Sequence, residues 1–377
     1  MQDKIWLSSP HLSGKELLYI QEAFEKNWVT SIGENLDGFE QDLKECLSNN
    51  HEVVALNSAT SAIHLALVML NVGKHDEVLT STFSFVASAN PITYRGATPV
   101  FIDSEKETWN MCPKALLEAI EDRIQKGRKP KAIIVVHLYG MPAKMDEINE
   151  IAAKYEIPVI EDAAEALGST YKNKACGTLG RFGILSFNGN KIITTSGGGA
   201  LVCPTKEDKN KAIFLSTQAR DNAPHYQHSH IGYNYRMSNI IAGIGRGQME
   251  VLPNRVNARR KMHEFYVELF SEINGVEVFS ESTSDYYSNH WLSAITIDTS
   301  ITGKSREELR LEFLENNIES RPLWKPMHLQ PIFADAPYYG EKVAEELFDK
   351  GLCLPSGSNL SDNDRERIAK VIKNFFS

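Results

Sequence analysis

The sequence has no paired cysteines. Five cysteines are scattered among 377 residues, and no two of them form a C-x-x-C motif. Their spacing therefore gives neither a disulfide framework nor a zinc-ligand pattern. We expect free thiols in a reducing cytoplasm. The five residues are Cys46, Cys112, Cys176, Cys203 and Cys353.

Long apolar runs and an excess of positive charge are also absent. No stretch approaches the roughly 20 apolar residues that are needed to cross a bilayer. Met1–Trp6 leads directly into polar and helical sequence rather than into the apolar core of a signal peptide. The net charge is −9, which disfavours binding to the phosphates of nucleic acid. These absences predict a cytoplasmic protein that binds neither nucleic acid nor membrane.

The common nucleotide-binding motifs are incomplete. Gly303–Ser305 has the Gly-Lys-Ser ending of a P-loop, but Asp298 stands where that motif needs a glycine. No G-x-G-x-x-G follows a predicted strand, and Gly197–Gly199 lacks that spacing. Neither a P-loop nor a nicotinamide cofactor is supported.

What is present, from about residue 50 to residue 203, is an alternation of strand-like and helix-like segments. Ala132–Gly140 is a continuous apolar run of the kind that parallel sheets bury on both faces. Such alternation predicts an α/β domain with a mostly parallel sheet covered by helices. The other predicted strands are Val53–Asn57, Glu77–Phe85, Thr98–Ser104, Ile157–Asp162, Phe182–Phe187 and Gly199–Cys203, and the predicted helices are Ser61–Leu70, Lys114–Lys126 and Met145–Tyr155.

The pattern changes after Gln248, where longer and more highly charged helical segments begin. We therefore predict a large domain over residues 1–250, including the N-terminal segment, and a smaller α/β domain over residues 251–377. Ser305 is the predicted N-cap of a helix in the smaller domain. The predicted elements there are the helices Arg255–Phe270, Ser305–Asn317 and Ser361–Phe375 and the strand His290–Asp298.

A cluster of small polar residues lies between a predicted strand and a predicted helix. Ser58, Ala59, Thr60 and Ser61 occupy this junction in the stretch ALNSATSAIHLAL. Unpaired amides at a helix N-terminus, with hydroxyls beside them, suit a phosphate group. The alternative is an ordinary helix N-cap with no ligand.

Asp162, in VIEDAAEALGS, ends a predicted buried strand, which is where α/β proteins place their sites. A carboxylate there can bond a pyridine nitrogen and keep it protonated, so that the ring acts as an electron sink. The alternative is an acidic strand end at the surface.

Lys191 lies in the loop after the next predicted strand, in SFNGNKIITTSGGGA. A lysine amine among small and apolar residues can bond covalently to an aldehyde and can later shuttle a proton. A lone loop lysine is usually a solvated charge, but Gly197–Gly199 lets backbone pass close to other groups, which is unusual beside a surface lysine. Phosphate, ring nitrogen and aldehyde together describe a phosphorylated pyridine aldehyde.

These stretches, together with GYNYRMSN at Gly232–Asn239, resemble the DegT/DnrJ/EryC1/StrS family of sugar aminotransferases, which are fold-type I pyridoxal 5′-phosphate (PLP) enzymes. The resemblance runs from Ser8–Glu16 to Leu354–Ser361, nearly the whole chain. It implies a large domain with a mostly parallel seven-stranded sheet and a smaller C-terminal α/β domain.

The resemblance also implies cofactor roles. Lys191 matches the lysine that holds PLP, and Asp162 matches the partner of its pyridine nitrogen. Asn234 matches an asparagine that reaches the phosphate of the neighbouring subunit, which implies a homodimer with shared active sites. The other implied cofactor contacts are Ser186, Ala59 and Thr60 at the phosphate, Phe85 against the ring and Glu165 beside the phenolic oxygen.

Two of these positions carry reservations. Phe85 could instead be ordinary core packing. The family often has glutamine where this chain has Glu165, and two anions there would repel, so we expect a proton or an added donor between them.

The family aminates nucleotide-linked keto sugars, mostly with L-glutamate as donor. Segments such as HLYGMPAKMDEI and ESRPLWKPMH are similar to those of one member of the family. That member converts UDP-2-acetamido-2,6-dideoxy-α-D-xylo-hexos-4-ulose to UDP-4-amino-4,6-dideoxy-N-acetyl-α-D-glucosamine. The reaction lies on the route to bacillosamine and protein glycosylation. Arginine forks suit a diphosphate and tryptophans suit a sugar or base face. The implied substrate contacts are Asn27, Trp28, Val29, Thr30, Arg220, Arg321, Pro322, Leu323 and Trp324.

Other interpretations stay open at this point. One alternative is a GDP-perosamine synthase, which shares the EDAAEA segment. A single sequence does not show which base and which sugar the binding pockets accept. A dehydratase of the same fold commonly has histidine in place of the lysine, whereas Lys191 is present here. If the chain were a non-catalytic regulator built on this fold, we would expect at least one of the cofactor-binding residues to be lost. His225, His228 and His230 lack an accompanying carboxylate or cysteine, so we expect a polar loop there and no metal.

Overall fold

The computed structural model describes residues 3–377; residues 1–2, with which the predicted large domain begins, lie outside this range. The helices are α1 (Glu16–Glu25), α2 (Glu34–Cys46), α3 (Ala59–Met69), α4 (Asn90–Tyr94), α5 (Pro113–Gln125), α6 (Met145–Lys154), α7 (Lys206–Ser216), α8 (Asn239–Met249), α9 (Leu252–Phe270), α10 (Thr299–Thr302), α11 (Arg306–Glu315), α12 (Val343–Lys350) and α13 (Asp362–Phe376). The strands are β1 (Glu52–Leu56), β2 (Glu77–Ser81), β3 (Thr98–Ile102), β4 (Ala132–Val136), β5 (Val159–Asp162), β6 (Thr170–Tyr171), β7 (Lys174–Ala175), β8 (Phe182–Ser186), β9 (Gly199–Cys203), β10 (Val276–Val278), β11 (Tyr286–Tyr287), β12 (Ser293–Ile297), β13 (Arg321–Pro322), β14 (Tyr338–Tyr339) and β15 (Gly351–Leu354).

The main sheet has eight strands in the order β1-β9-β8-β5-β4-β2-β3-β14. Only the two pairings of β9 are antiparallel, so the predicted mostly parallel sheet is confirmed. Seven strands come from residues 52–203, as predicted. The eighth, β14, comes from the C-terminal part of the chain and pairs with β3 through Tyr338 opposite Phe101.

Asp103 explains why this distant segment joins the sheet. Its carboxylate accepts hydrogen bonds from the backbone amides of Glu341 at 3.1 Å, Val343 at 2.8 Å and Ala344 at 3.0 Å. These bonds hold the start of α12 against the end of β3. Two-residue strands carry little periodicity, and the sequence pattern did not predict this one.

The central strands are buried on both faces, as predicted. All five residues of β4 are buried. The predicted strand Ala132–Gly140 is nevertheless too long, because Leu138–Gly140 forms a 3-10 turn in which Tyr139 has φ 55°. This turn redirects the chain at the carboxyl end of the sheet.

Successive strand residues serve two hydrophobic cores, since neighbouring side chains on a strand point to opposite faces. Val54 packs in a core with α3 and α7, whereas Val53 packs with α2 and α8. A third core joins β2, β3, β4 and β5 to α5 and α6. The helices therefore cover both faces of the sheet.

A second, antiparallel sheet has the order β10-β12-β15-β13. Its core includes residues of α9, α11 and α13, together with Ile5 from the N-terminal segment. The predicted N-cap is confirmed, because Ser305 Oγ accepts the amide of Glu308 at 3.2 Å in a complete capping box. The domain boundary near residue 250 stays a prediction.

Within residues 3–377, no helix is long and apolar enough to cross a membrane. The five cysteines are unpaired, and three of them, Cys176, Cys203 and Cys353, are buried. Burial raises the pKa of each of these three thiols, so they remain protonated at neutral pH.

Candidate active site

A pocket of about 310 Å³ lies at the carboxyl ends of β4, β5 and β8. The register brings these ends together, since Val136 lies opposite Asp162 and Asp162 lies opposite Ile184, two residues before Ser186. Val136, Asp162 and Ser186 therefore line the pocket. Sites in open α/β sheets form at such strand ends.

Asp162 is a buried carboxylate with two hydrogen bonds. Its Oδ2 accepts from Ser88 Oγ at 2.7 Å, and its Oδ1 accepts from the Ala164 amide at 3.2 Å. Burial raises the pKa of Asp162, and these two bonds oppose the rise. The group is desolvated and fixed, so a protonated ring nitrogen would be a favourable partner for it.

Lys191 projects into the same pocket with only 12% of its side chain exposed. Its Nζ lies 3.2 Å from Glu165 Oε1 and 4.0 Å from the centroid of the Trp291 ring. An ammonium over an indole face is an attractive cation–π contact. The amine is therefore held by one anion and one aromatic ring.

Glu165 accepts two donors. Besides Lys191 at its Oε1, the backbone amide of Tyr139 donates to its Oε2 at 2.8 Å. Burial raises the pKa of Glu165, while the Lys191 ammonium and the Tyr139 amide lower it. The left-handed turn at Tyr139 delivers the second of these donors. The expected proton or donor between Glu165 and the phenolic oxygen of the cofactor stays a prediction.

The start of α3 forms the opposite end of the pocket. Ser58 is its N-cap, with Oγ accepting the Ser61 amide at 3.0 Å. The first-turn amides at Ala59 and Thr60 have no acceptor inside the helix, and both residues line the pocket. At Gly199 a Cβ would lie 2.2 Å from the Ala59 nitrogen, so only glycine lets β9 begin against this helix. The N-cap interpretation is confirmed, and the role of this helix start as a phosphate site stays a prediction.

Three aromatic side chains, Phe85, Trp291 and Trp324, form the remaining wall. The Phe85 ring is 54% exposed and lies 6.0 Å from the Trp324 ring, so it is not a core residue. The Trp324 amide donates to the Tyr139 hydroxyl at 2.9 Å. Trp324 Nε1 is buried and has no hydrogen-bond partner within residues 3–377.

This donor set fits PLP. One pocket combines a helix N-terminus and a hydroxyl for the phosphate, a buried carboxylate for the ring nitrogen and a primary amine for the aldehyde. An exposed aromatic ring is available for the pyridine face. The predicted residues that the structure brings together here are Lys191, Asp162, Ser186, Ala59, Thr60, Phe85, Glu165 and Trp324.

The other predicted residues lie outside this pocket. Arg321, Pro322 and Leu323 line a neighbouring pocket of about 470 Å³, which shares Trp291 and Trp324 with the first. Arg321 is exposed and paired with Glu319 at 2.8 Å. The remaining predicted residues are exposed: Asn27, Trp28, Val29 and Thr30 in the loop between α1 and α2, Arg220 over the Tyr226 ring, and Asn234 just before α8.

The predicted site residues did not include four that line or support the pocket, namely Ser88, Trp291, Tyr139 and Asn190. Ser88 is one helical turn after Phe85, a spacing that could have drawn attention to it. Trp291 was read as part of a strand, and Tyr139 as the end of one. Asn190, next to Lys191, contributes its backbone carbonyl, which no residue pattern reveals.

A buried trio beneath the pocket, His137, Glu161 and Cys176, has the residue types of a metal site. The imidazole of His137 is engaged at both nitrogens, at Nε2 with Glu161 at 2.7 Å and at Nδ1 with the Ala143 amide at 3.0 Å. Glu161 also accepts backbone amides, including that of Leu179 at 2.7 Å. Because these atoms already have partners, the trio connects β4 and β5 rather than offering free ligands.

Comparisons with known proteins show the family of this chain. The model of the DegT/DnrJ/EryC1/StrS aminotransferase family matches residues 10–373. EpsN of Bacillus subtilis (strain 168), whose name assigns it provisionally as a pyridoxal phosphate-dependent aminotransferase, is 50% identical over 380 residues, covering 100% of this chain and 97% of EpsN. GDP-perosamine synthase of Escherichia coli O157:H7 is 38% identical over 370 residues, covering 98% of this chain and 97% of that protein.

A solved structure is similar over the whole fold. The PLP form of Spr1654 from Streptococcus pneumoniae, provisionally named a sugar aminotransferase, superposes with a TM-score of 0.89 at 26% identity, covering 98% of each chain. The chain therefore belongs to the DegT/DnrJ/EryC1/StrS aminotransferase family and is a PLP-dependent sugar aminotransferase.

Proposed function

We propose that this enzyme transfers the amino group of L-glutamate to carbon 4 of a nucleotide-linked 4-keto-6-deoxy sugar. The proposed substrate is UDP-2-acetamido-2,6-dideoxy-α-D-xylo-hexos-4-ulose, and the product is UDP-4-amino-4,6-dideoxy-N-acetyl-α-D-glucosamine. The observation that carries the proposal is the pocket in which Lys191, Asp162 and the start of α3 face an aromatic wall. The choice of UDP sugar rests on the sequence likeness, and the cytoplasmic location is part of the same proposal.

Each pocket residue has a proposed task. The Ala59 and Thr60 amides and the Ser186 hydroxyl bind the cofactor phosphate. Asp162 holds a proton on the ring nitrogen, since its desolvated charge favours a cationic partner. When bound, PLP supplies an electron-poor ring that stabilises negative charge on the carbon beside the transferred amine.

Lys191 moves the proton. Its amine is close to Glu165 and the Trp291 face, so it is confined near the reacting atoms. We propose that it takes a proton from the donor carbon and delivers one to the sugar carbon. Glu165, bonded to the Tyr139 amide, keeps the ammonium form of Lys191 in place between these events.

The sugar nucleotide is proposed to extend from the aromatic wall into the neighbouring pocket. Trp324 borders both pockets, and its indole ring offers a face for a sugar or base. Arg321 lies at the rim, where its charge can meet a diphosphate. We assign Pro322 and Leu323 to the same wall, and Asn27–Thr30 and Arg220 to the substrate side of the assembled enzyme.

We also propose a homodimer with shared sites. Asn234 is exposed and lies outside the pocket of its own chain, which supports a role in the site of a second copy. Large apolar side chains are exposed in the same parts of the chain, including Trp28 at 43% and Ile231 at 84%. Exposed apolar surface of this kind is typical of a protein interface.

Lys191→Ala tests the catalytic assignment. We expect loss of turnover and of the visible absorbance of the lysine-bound cofactor. Lys174→Ala is the matched control, because Lys174 is exposed in the β6–β7 hairpin, and it should behave as wild type. Substantial turnover by Lys191→Ala would contradict the proposal.

Sugar specificity is tested by offering L-glutamate with UDP- and GDP-linked 4-keto-6-deoxy sugars and measuring the amino sugar formed. We expect kcat/KM to favour the UDP sugar. The second candidate is a GDP-linked sugar, which the 38% identity to the Escherichia coli GDP-perosamine synthase favours. Amination of the GDP sugar alone would replace the first candidate with the second.

Mixing inactive subunits tests the shared site. We expect Asn234→Ala and Lys191→Ala to be weak or inactive alone. In a mixed dimer, one site combines a normal Lys191 with a normal Asn234 from the partner chain, so random mixing should restore about a quarter of wild-type activity. No recovery in a mixture shown to contain mixed dimers would exclude the shared site.

A further inference from the structure

The peptide just before Lys191 is held by two side chains that are distant in sequence. The carbonyl oxygen of Asn190 accepts a hydrogen bond from Ser8 Oγ at 2.7 Å and another from Trp291 Nε1 at 2.7 Å. Both distances are those of well-formed hydrogen bonds. Because this carbonyl belongs to the residue preceding Lys191, the two bonds fix the direction in which the lysine leaves the loop.

A buried arginine orients both of these donors. Arg259, in α9, donates to the carbonyl oxygen of Trp291, to the carbonyl oxygen of Ser356 at 3.2 Å and to Ser8 Oγ at 2.9 Å. These acceptors are all neutral oxygens. Burial lowers the pKa of Arg259 to about 9, so the side chain is still a cation at neutral pH. A desolvated cation depends strongly on its hydrogen bonds, so it holds these oxygens firmly.

The Ser8 hydroxyl relays this constraint. A serine hydroxyl has one proton to donate and can accept other bonds. Since Ser8 Oγ accepts from the Arg259 guanidinium, its own proton is directed to the Asn190 carbonyl. The N-terminal segment thereby links α9 to the lysine loop.

Trp291 contacts Lys191 and its neighbours through three different groups. Its ring face lies 4.0 Å from Lys191 Nζ, its indole N–H donates to Asn190, and its carbonyl accepts from Arg259. Asn289, two residues before Trp291, donates through its side-chain amide to the carbonyl of Glu165 at 3.0 Å. Its side-chain oxygen accepts the Trp291 amide at 2.8 Å. This short segment therefore contacts both the lysine loop and the residue that pairs with the lysine.

We propose that Ser8, Arg259 and Trp291 form a positioning network that presents the neutral amine of Lys191 to the cofactor aldehyde. In the condensation a C=N bond replaces the aldehyde C=O bond, and the oxygen leaves as water with the two amine protons. The inference rests on the proposed role of Lys191. None of the three residues reacts; each acts through Asn190 or through the aromatic face. A misplaced reacting group slows bond formation even when the fold is unchanged.

Ser8→Ala tests the relay, with Ser9→Ala as its matched control. Ser9 is the adjacent serine and bonds only to Asn359 among the described residues, away from the lysine. Apoenzyme is mixed with PLP, and the rate of covalent attachment is followed by visible absorbance. We expect Ser8→Ala to slow attachment about fivefold, Ser9→Ala to stay within about twofold, and Ser8→Thr, which keeps a hydroxyl, to restore the rate.

Trp291→Phe tests the second donor. Phenylalanine keeps an aromatic face but loses the N–H that bonds Asn190, so attachment should again slow about fivefold. Trp109→Phe is the control, because Trp109 is a buried tryptophan stacked 3.8 Å from Phe279 and does not line the pocket. Since both donors bond one oxygen, the double variant should slow attachment by a factor different from the product of the two single effects.

Two results would overturn the network. In the first, the rate of PLP attachment is the same for Ser8→Ala as for Ser9→Ala, and the same for Trp291→Phe as for Trp109→Phe. The other is slowing that simply follows the loss in Tm across all four variants, which indicates general destabilisation. Failure of the proposed function itself is distinguishable, because Lys191→Ala would then still attach PLP covalently.

Discussion

The two walls of the active site are built in different ways. Asp162 and Ser186 lie on neighbouring parallel strands, so the backbone register of the sheet fixes their separation. Trp291 and Trp324 lie on segments just outside β12 and β13. Individual hydrogen bonds fix them, with Asn190, Arg259 and Asn289 for Trp291 and with Tyr139 for Trp324. The sheet wall is positioned by many cooperative backbone bonds and the aromatic wall by few.

This difference indicates a division of labour. The groups proposed for bond making and proton transfer lie on or beside the rigid sheet, where a fixed geometry benefits chemistry. The groups proposed for the sugar lie on connecting segments, which tolerate change without loss of the fold. The following predictions test whether the two walls differ in this manner.

Asp162→Asn should have the largest effect. The variant keeps an acceptor for Ser88 but removes the buried charge, so kcat should fall by about 10²-fold or more while the fold persists. Steady-state kinetics and circular dichroism measure the two quantities. Asp146→Asn, at an exposed carboxylate, is the control. A loss below about threefold would place Asp162 outside the chemistry.

Trp324→Phe should act on binding rather than on chemistry. Phenylalanine offers a smaller stacking face than the indole that lines both pockets, so KM for the sugar should rise by about threefold, with kcat nearly unchanged. Trp6→Phe, an exposed tryptophan over Lys4, is the matched control. A fall in kcat without a change in KM would remove the distinction between the walls.

Glu165→Gln should change the pH dependence of stability. Burial raises the folded-state pKa of Glu165 above its ordinary 4.5. A raised carboxyl pKa stabilises the fold fully below the unfolded value, and that contribution is lost as the pH rises through the folded value. The Tm of Glu165→Gln relative to wild type should therefore increase as the pH rises from below 4.5 towards neutrality.

Scanning calorimetry of both proteins across this range measures the Glu165 effect. Glu264→Gln, at an exposed position on α9, should give a flat difference with pH. A Tm difference for Glu165→Gln that falls as the pH rises would mean that the fold lowers the pKa of Glu165 rather than raising it.

Arg321→Ala should have the smallest effect on stability. The Arg321 side chain is exposed, and its partner Glu319 also accepts the Leu7 amide, so the free energy of unfolding should change by less than about 1 kcal/mol. KM for the nucleotide sugar should nevertheless rise about threefold if the charge meets a diphosphate. Urea unfolding and kinetics separate the two outcomes, and Arg321→Lys, which keeps the charge, should fall between wild type and Arg321→Ala.

The sheet wall could be predicted from the sequence because strand ends carry a local signal. Ser58, Asp162 and Lys191 each follow or end an apolar run, and parallel strands bring such ends together. The strand from Ala132 was drawn too long because the left-handed turn at Tyr139 has no signature in an apolar sequence.

The aromatic wall and its supports could not be predicted in the same way. Trp291 lies within a predicted strand and Arg259 within a predicted charged helix, and neither position carries a local signal for a role at the site. Their roles depend on contacts such as Arg259 with Ser8, which join residues that are far apart in the sequence. No local period encodes such a contact, and a backbone carbonyl such as that of Asn190 leaves no trace in the residue pattern.

The two-residue strand β14 has a consequence for how this protein is made. It covers β3, which would otherwise be the edge of the main sheet. An uncovered edge offers unpaired backbone groups to other chains. During synthesis β3 leaves the ribosome long before Tyr338–Tyr339 does, so the nascent sheet is open to mispairing until almost the last part of the chain is made. A product truncated before Tyr338 would keep the strands that form the pocket and would expose the unpaired backbone groups of β3 to other chains.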